Sequence, residues 1–287
     1  RGYTFGGNGT HTSGCTSPSI EGNTFINGNL DLSVGHVSGG IGWSTYATDV
    51  LVSGNYIEAF VCGCGDVSDT NSGATIVNNT IKNCYSHGVR ISAGATRVKV
   101  ARNTIIDCAQ DTSKQTGLDS YGGIFAAGLS GVDCEISDNY IDDPLYIVGS
   151  SGNARCVVRD NTVLGETLIY GLTKTSVDGG HYTNRVRLGA LTDVELRGLC
   201  IEMTGSSSHC LSLYTGAFTN VRVSGLKTKG GNRSISIDAV TLAGVEIADS
   251  ELNDASGRGF SSDSTSSGLR LTNITSRRGA AGGTDYI

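Results

Sequence analysis

"GATIVNNTIKNC", residues 73–84, holds two apolar steps on either side of a corner: Ile76, then Asn79, then Ile81. Close copies return as "TDVLVSGNYIEAF" (48–60), "TRVKVARNTIIDC" (96–108), "VDCEISDNYIDDP" (132–144) and "ARCVVRDNTVLGE" (154–166). Aligned on the corner, Asn23, Asn55, Asn79, Asn103, Asn139 and Asn161 form one column at spacings of 32, 24, 24, 36 and 22 residues. Repeats of this size signal supersecondary units stacked on one continuous core.

The flanking residues give the geometry. Three before each asparagine stand Ile20, Val52, Ile76, Val100, Ile136 and Val158; five before, from the second repeat on, stand Val50, Ala74, Val98, Cys134 and Cys156. This is period-two alternation, so both columns face one interior. Two after come Phe25, Ile57, Ile81, Ile105, Ile141 and Val163, a third inward column beyond the bend. Asparagine suits the corner because it tolerates left-handed backbone angles and its amide can bond to neighbouring coils. "TDVELRGLCI", "TNVRVSGLKT", "AGVEIADSEL" and "SGLRLTNITS" keep the apolar rhythm without the asparagine. The expectation is an all-β, single-domain parallel β-solenoid of about eleven coils, with a lead-in over 1–16, coils over 17–276 and a tail over 277–287. Asn55, Asn79, Asn103, Asn139 and Asn161 form its structural ladder. A β-sandwich would not need the same residues at the same phase in every repeat.

Composition narrows the function. Of 287 residues 42 are glycine and only 2 proline, which excludes collagen and proline-rich linkers. The net charge of −6 and the scattered Lys and Arg argue against nucleic acid as a partner, and no apolar run approaches the length for membrane insertion. The chain opens at Arg1, as a mature form or an excised domain would. Nine cysteines, with no CxxC pair and one close spacing at Cys62 and Cys64, match neither a zinc motif nor a disulfide scaffold, so no metal site is expected. Cys134 and Cys156 share one inward column and Cys84 and Cys108 another, as small core fillers. Many unpaired thiols favour folding in a reducing compartment.

Through the "GNYI", "NNTI", "RNTI", "DNYI" and "DNTV" corners and the apolar columns beside them, the chain resembles the right-handed parallel β-helix of the pectate lyase-like superfamily. That group spans lyases, glycoside hydrolases, epimerases, tailspikes and noncatalytic adhesins, so the resemblance speaks to fold more than function. The "DPHE"-like run of the alginate epimerases is missing. The irregular coils, unpaired cysteines and acidic charge are most similar to phage tailspike depolymerases. This resemblance implies a bacterial surface polysaccharide as partner, a homotrimer, and a virion or extracellular location. The alternatives are a uronate lyase and a noncatalytic glycan-binding fibre.

In such enzymes substrate lies along the outside of the first sheet of each coil. The equivalent segments are "GIGWSTY" (40–46), "FVCGCGD" (60–66), "GVRIS" (88–92), "GIFAAG" (123–128) and "LYIVG" (145–149). With Ile41, Val89, Ile91 and Ile124 inward, Ser44, Arg90, Ser92 and Phe125 point outward. Two long turns in this half, "GDVSDTNSGA" and "DCAQDTSKQTGLDSYGG", would wall a groove above Arg90. Hydrolysis requires two carboxyl groups, one protonated and one ionised. Asp66 and Asp69 are the candidate catalytic pair, with Asp119 or Glu58 as substitutes, although a D-x-x-D serves equally well as a solvated turn. Elimination instead needs a base and a cation against the uronate carboxylate, for which Arg90, Lys114 and Tyr121 are the local group. Trp43 and Tyr46 are candidate stacking residues, Trp43 having a competing role as a cap on the first coil, and outward Phe125 is a further substrate-binding candidate. A hydrolase needs no cofactor, whereas a lyase implies calcium on Asp66, Asp69 and Asp119. His87 and His209 read as turn residues before first-sheet strands.

Overall fold

The computed structural model describes residues 4–5, 10–12, 16–27, 39–43, 48–66, 73–91, 95–110, 122–129, 133–149, 155–204, 208–238, 241–262 and 268–278. They are strands and turns throughout, and every ladder is parallel between one coil and the next. Two sheets result, one of 21 strands and one of eleven. The larger contains the second-sheet strands, such as Thr75–Val77, and the third-sheet strands, such as Thr80–Lys82. The eleven-stranded sheet is the first sheet, with strands including Cys62–Asp66, His87–Ile91, Gly122–Leu129, Leu145–Gly149, Thr167–Tyr170, Val186–Gly189 and His209–Thr215. Among the described residues nine successive coils carry three separate strands, and the pattern is incomplete at either end, so the complete turns are somewhat fewer than eleven.

The inward columns are those of the repeat. Val52, Ile76, Val100, Ile136 and Val158 are fully buried, as are Ile57, Ile81, Ile105, Ile141 and Val163. Because pairing is in register (Ile76 beside Val100, Ile81 beside Ile105), like side chains stack at each level. Each burial contributes about 1.5–3 kcal/mol. The eight described cysteines are free, and Cys134 pairs in register with Cys156 inside the core.

The corner differs from expectation in one respect. The left-handed residue is the one before the asparagine: Gly22, Gly54, Asn78, Arg102, Asp138 and Asp160 all have φ between 51° and 65°. That turn aims the asparagine side chain into the coil stack. Asn79 Oδ1 accepts from the Asn55 backbone N–H at 2.9 Å and from Asn55 Nδ2 at 3.0 Å, while Asn79 Nδ2 donates to Asn103 Oδ1 and the Val52 carbonyl, both at 3.0 Å. The same pattern runs through Asn103 and Asn139 to Asn161. In the next coils Gly180, Leu199 and Leu226 take the position, in register behind Asn161, and the ladder becomes apolar.

Candidate functional site on the first sheet

Parallel register places one outward column along the first sheet: Gly65, Arg90, Phe125, Tyr146, Leu168, Arg187 and Ser212. Beside it runs a second, of Ala127, Val148, Tyr170 and Gly189. Phe125, Tyr146, Val148 and Leu168 form a small apolar cluster of their own on this outer face, with Ala127, Tyr170 and Tyr214 packed against it. Outward positions on a solenoid are ordinarily polar, so a second cluster outside the core is a feature to explain.

Its edge is charged. Glu166, in the turn that enters Thr167–Tyr170, binds Arg185 at 2.9 Å and Arg187 at 3.0 Å. The Arg187 guanidinium carbon lies 3.9 Å from the centre of the Tyr214 ring, a cation–π contact. Burial, and after it the nearby Glu166, pushes the Tyr146 hydroxyl up to about 12, so it stays a neutral donor. Gly189 leaves room for a ring: a methyl there would lie 2.6 Å from Tyr170 Cδ2. Half-buried Tyr170, Tyr214 and Arg187 thus border a floor of buried aromatic and aliphatic groups.

One coil earlier, the turn before Leu145–Gly149 carries Asp142 and Asp143. Asp143 Oδ2 accepts from the Cys108 N–H at 2.6 Å, and Asp142 Oδ1 from the Asp107 N–H at 2.9 Å. Burial, reinforced by Asp142 and Asp107, raises the Asp143 carboxyl to about 8, against the Cys108 N–H, which lowers it. This turn touches that of Glu166: a methyl on Gly165 would sit 2.3 Å from the Asp143 carbonyl carbon. A proton-holding acid and an ion-paired carboxylate therefore occupy adjacent turns at one margin of the first sheet.

Residues 3–132 match the family model of the right handed beta helix region. Among curated proteins none matches the sequence. The structure is similar to the crystal structure of the Agl-KA catalytic domain, with 13% identity and a TM-score of 0.53, over 99% of this chain and 58% of that one. The chain has the right-handed parallel β-helix fold. The Azotobacter vinelandii mannuronan C-5 epimerase AlgE6 A-module also matches, at 11% identity and a TM-score of 0.33, over 96% of this β-helix and 83% of that chain.

Of the expected site residues, Arg90 is half-buried and outward, in register with Phe125. Phe125 is outward as expected but only 6% exposed, packed under its neighbours. Glu58 lies on the third sheet, accepting from the Tyr56 hydroxyl at 2.7 Å and from Asn83 Nδ2 at 2.9 Å, and so is not on the first-sheet face. Asp66 and Trp43 end the paired strands Cys62–Asp66 and Gly39–Trp43, with side chains outside the described residues. Asp69, Asp119, Tyr46, Lys114 and Tyr121 lie outside them altogether. His87 and His209 open first-sheet strands, where turns were expected, because parallel pairing with Cys62 and Arg233 extends those strands by a residue or two. The His87 ring packs 5.0 Å from that of Phe125.

Sequence reading passed over Tyr170, Arg187 and Tyr214. Each follows an inward aliphatic residue (Ile169, Leu188 or Leu213) or precedes one by one step, so the phase of the columns marks them once the later first-sheet strands are recognised. A concavity of about 540 Å³ on the second sheet, lined by Arg97, Lys99, Arg155, Arg159, Asp133 and Glu135, is a weaker candidate. Four of its cations are in ion pairs: Glu135 binds Arg159 at 2.7 Å and Lys99 at 3.1 Å, Asp133 binds Arg155 at 3.0 Å, and Asp49 lies 3.7 Å from Arg97.

Proposed function

We propose that this β-helix binds a polysaccharide along the outer face of its first sheet and cleaves it by hydrolysis, as a tailspike-type depolymerase. The observation that carries the reading is the outward cluster of Phe125, Tyr146, Leu168, Tyr170 and Tyr214, edged by Glu166, Arg185 and Arg187. The half-buried rings of Tyr170 and Tyr214 stack on the apolar faces of sugar rings above this floor, and Glu166, bridging two arginines through separate oxygens, edges the face with groups that orient hydroxyls. Asp143, whose carboxyl burial raises to about 8 and whose turn packs against that of Glu166, is the candidate acid for protonating a leaving oxygen. Glu166, held by Arg185 and Arg187 on the adjacent turn, is the second carboxylate. The fold likeness to a catalytic domain supports an enzymatic reading by analogy alone.

The same reading carries a homotrimer on the virion or outside the cell. Exposed Ile26, Tyr140 and Val157, on the outer faces of the second and third sheets, supply apolar contacts for it, and light scattering of the purified chain tests the state. Calcium would be needed only for elimination, with Asp66, Asp69 and Asp119 as its ligands.

The test is digestion of a panel of bacterial capsular and O-antigen polysaccharides, read by mass spectrometry and by the ultraviolet absorbance of unsaturated uronates. Products without that absorbance, lost in Asp143→Asn and Glu166→Gln, bear out the proposal. Loss instead in variants of Asp66, Asp69 or Asp119 moves the chemistry to the neighbouring turns. Absorbing products mean elimination and redirect attention to Arg90, Lys114 and Tyr121. Binding without products leaves a glycan-binding module.

A further inference from the structure

Seven of the eight described cysteines are buried, and Cys200 is the half-exposed exception. It stands on the outer face of the third sheet, at the start of strand Cys200–Met203, in register with His181 of strand His181–Tyr182 one coil earlier. Glu202, two residues on, shares that face. His181 Nε2 lies 3.7 Å from Glu202 Oε2, and one donor atom from each of the three residues falls within 4.8 Å of the other two. We propose that His181, Cys200 and Glu202 bind a thiophilic divalent cation, Zn²⁺ first, through three protein ligands with a fourth position open to solvent.

The donor set is what such an ion selects: one thiolate, one imidazole and one carboxylate. Bonds of about 2.0–2.3 Å place tetrahedral donors roughly 3.3–3.8 Å apart, so small side-chain rotations close the present separations around an ion. The backbone beneath is fixed on both coils, with the His181 N–H on the Asn161 carbonyl at 2.8 Å and the Cys200 N–H on the Gly180 carbonyl at 3.1 Å. Lys227 and Lys229, paired with Cys200 and Glu202 on the next coil, oppose a cation but favour the ligating thiolate, and Glu251 in register with Lys227 offsets one of them. Burial and then Glu202 hold the Cys200 thiol above its ordinary range, a bias that a bound cation reverses. The three ligands come from two coils, which is why no linear cysteine motif announces them.

The experiment is a Co²⁺ titration of the full chain without a polyhistidine tag. Expected is the near-ultraviolet thiolate-to-cobalt charge-transfer band with the visible absorption of a tetrahedral ion, both abolished by added Zn²⁺. Cys200→Ser should remove the band, and His181→Gln or Glu202→Gln should weaken binding by more than about tenfold, because losing a ligand exceeds the cost of losing an outer-shell partner. Zn²⁺ should also raise the unfolding temperature of the wild type and not of His181→Gln. A band that survives Cys200→Ser, or wild-type protein showing neither band nor thermal shift, overturns the proposal. Circular dichroism of each variant shows that the fold persists, which these outward positions permit. The outcome is independent of polysaccharide cleavage.

Discussion

Replacing Asn79 by alanine should destabilise the β-helix far more than replacing Asn23 at the end of the same ladder. Asn79 is 1% exposed and makes five ladder contacts between 2.9 and 3.0 Å: two accepted from Asn55, and three donated to Val52, Val77 and Asn103. Truncation strands the buried Asn55 N–H and leaves the Val52 carbonyl and Asn103 Oδ1 short of a donor. A buried group left without its partner costs about 1–3 kcal/mol, so the sum is about 3–5 kcal/mol, at the upper end for a single substitution. Asn23 is half-exposed, and its side-chain amide donates to Asn55 Oδ1 and to the Glu21 carbonyl while its backbone N–H on Asn55 Oδ1 survives truncation, so its loss should cost about 1 kcal/mol or less. Equilibrium urea unfolding of both variants gives the comparison. Equal losses, or less than about 1 kcal/mol for Asn79→Ala, would refute the ladder as a source of stability.

Asp143 makes a signed prediction. Its folded pKa is raised to about 8 from an ordinary 3.8, so the stability linked to its protonation is complete below the lower value and is lost as pH rises towards the upper one. Asp143→Asn should flatten the fall in stability across that window, and an unchanged slope would count against the raised carboxyl. Gly189→Val should push the Tyr170 ring off its seat and weaken glycan binding, read by calorimetry, while circular dichroism stays native. A thiol reagent should label Cys200 in the folded protein and reach the seven buried cysteines only on unfolding, with the order of modification read by peptide mass spectrometry.

The fold was legible because it is written redundantly. A solenoid places the same side chain at the same phase in every coil, so Ile76, Val100 and Ile136 each attest to the same interior. The corner was read one residue off, since asparagine's tolerance of left-handed angles drew attention from Asp138 and Asp160, which hold that conformation so that the next side chain can turn inward. The site was much less legible. Its residues occur once each, on strands 19 to 27 residues apart, and only register brings Tyr146, Leu168 and Arg187 into line. Long polar turns attracted the candidates at 66, 69 and 119, whereas Asp143 drew none, because a carboxylate beside a proline reads as a turn until its burial is known.

The asparagine ladder has a direction in time as well as in space. Each side-chain oxygen accepts the backbone N–H of the asparagine one coil earlier, so no corner is complete when its own coil has been made. A ribosome must deliver a further 22 to 36 residues before the Asn55, Asn79, Asn103 or Asn139 N–H meets its acceptor. The growing chain therefore always ends in one unfinished turn, whose exposed amide is the docking point for whatever is synthesised next. The corner amide and the strand edges of any last-made coil therefore wait together for the same next stretch of chain.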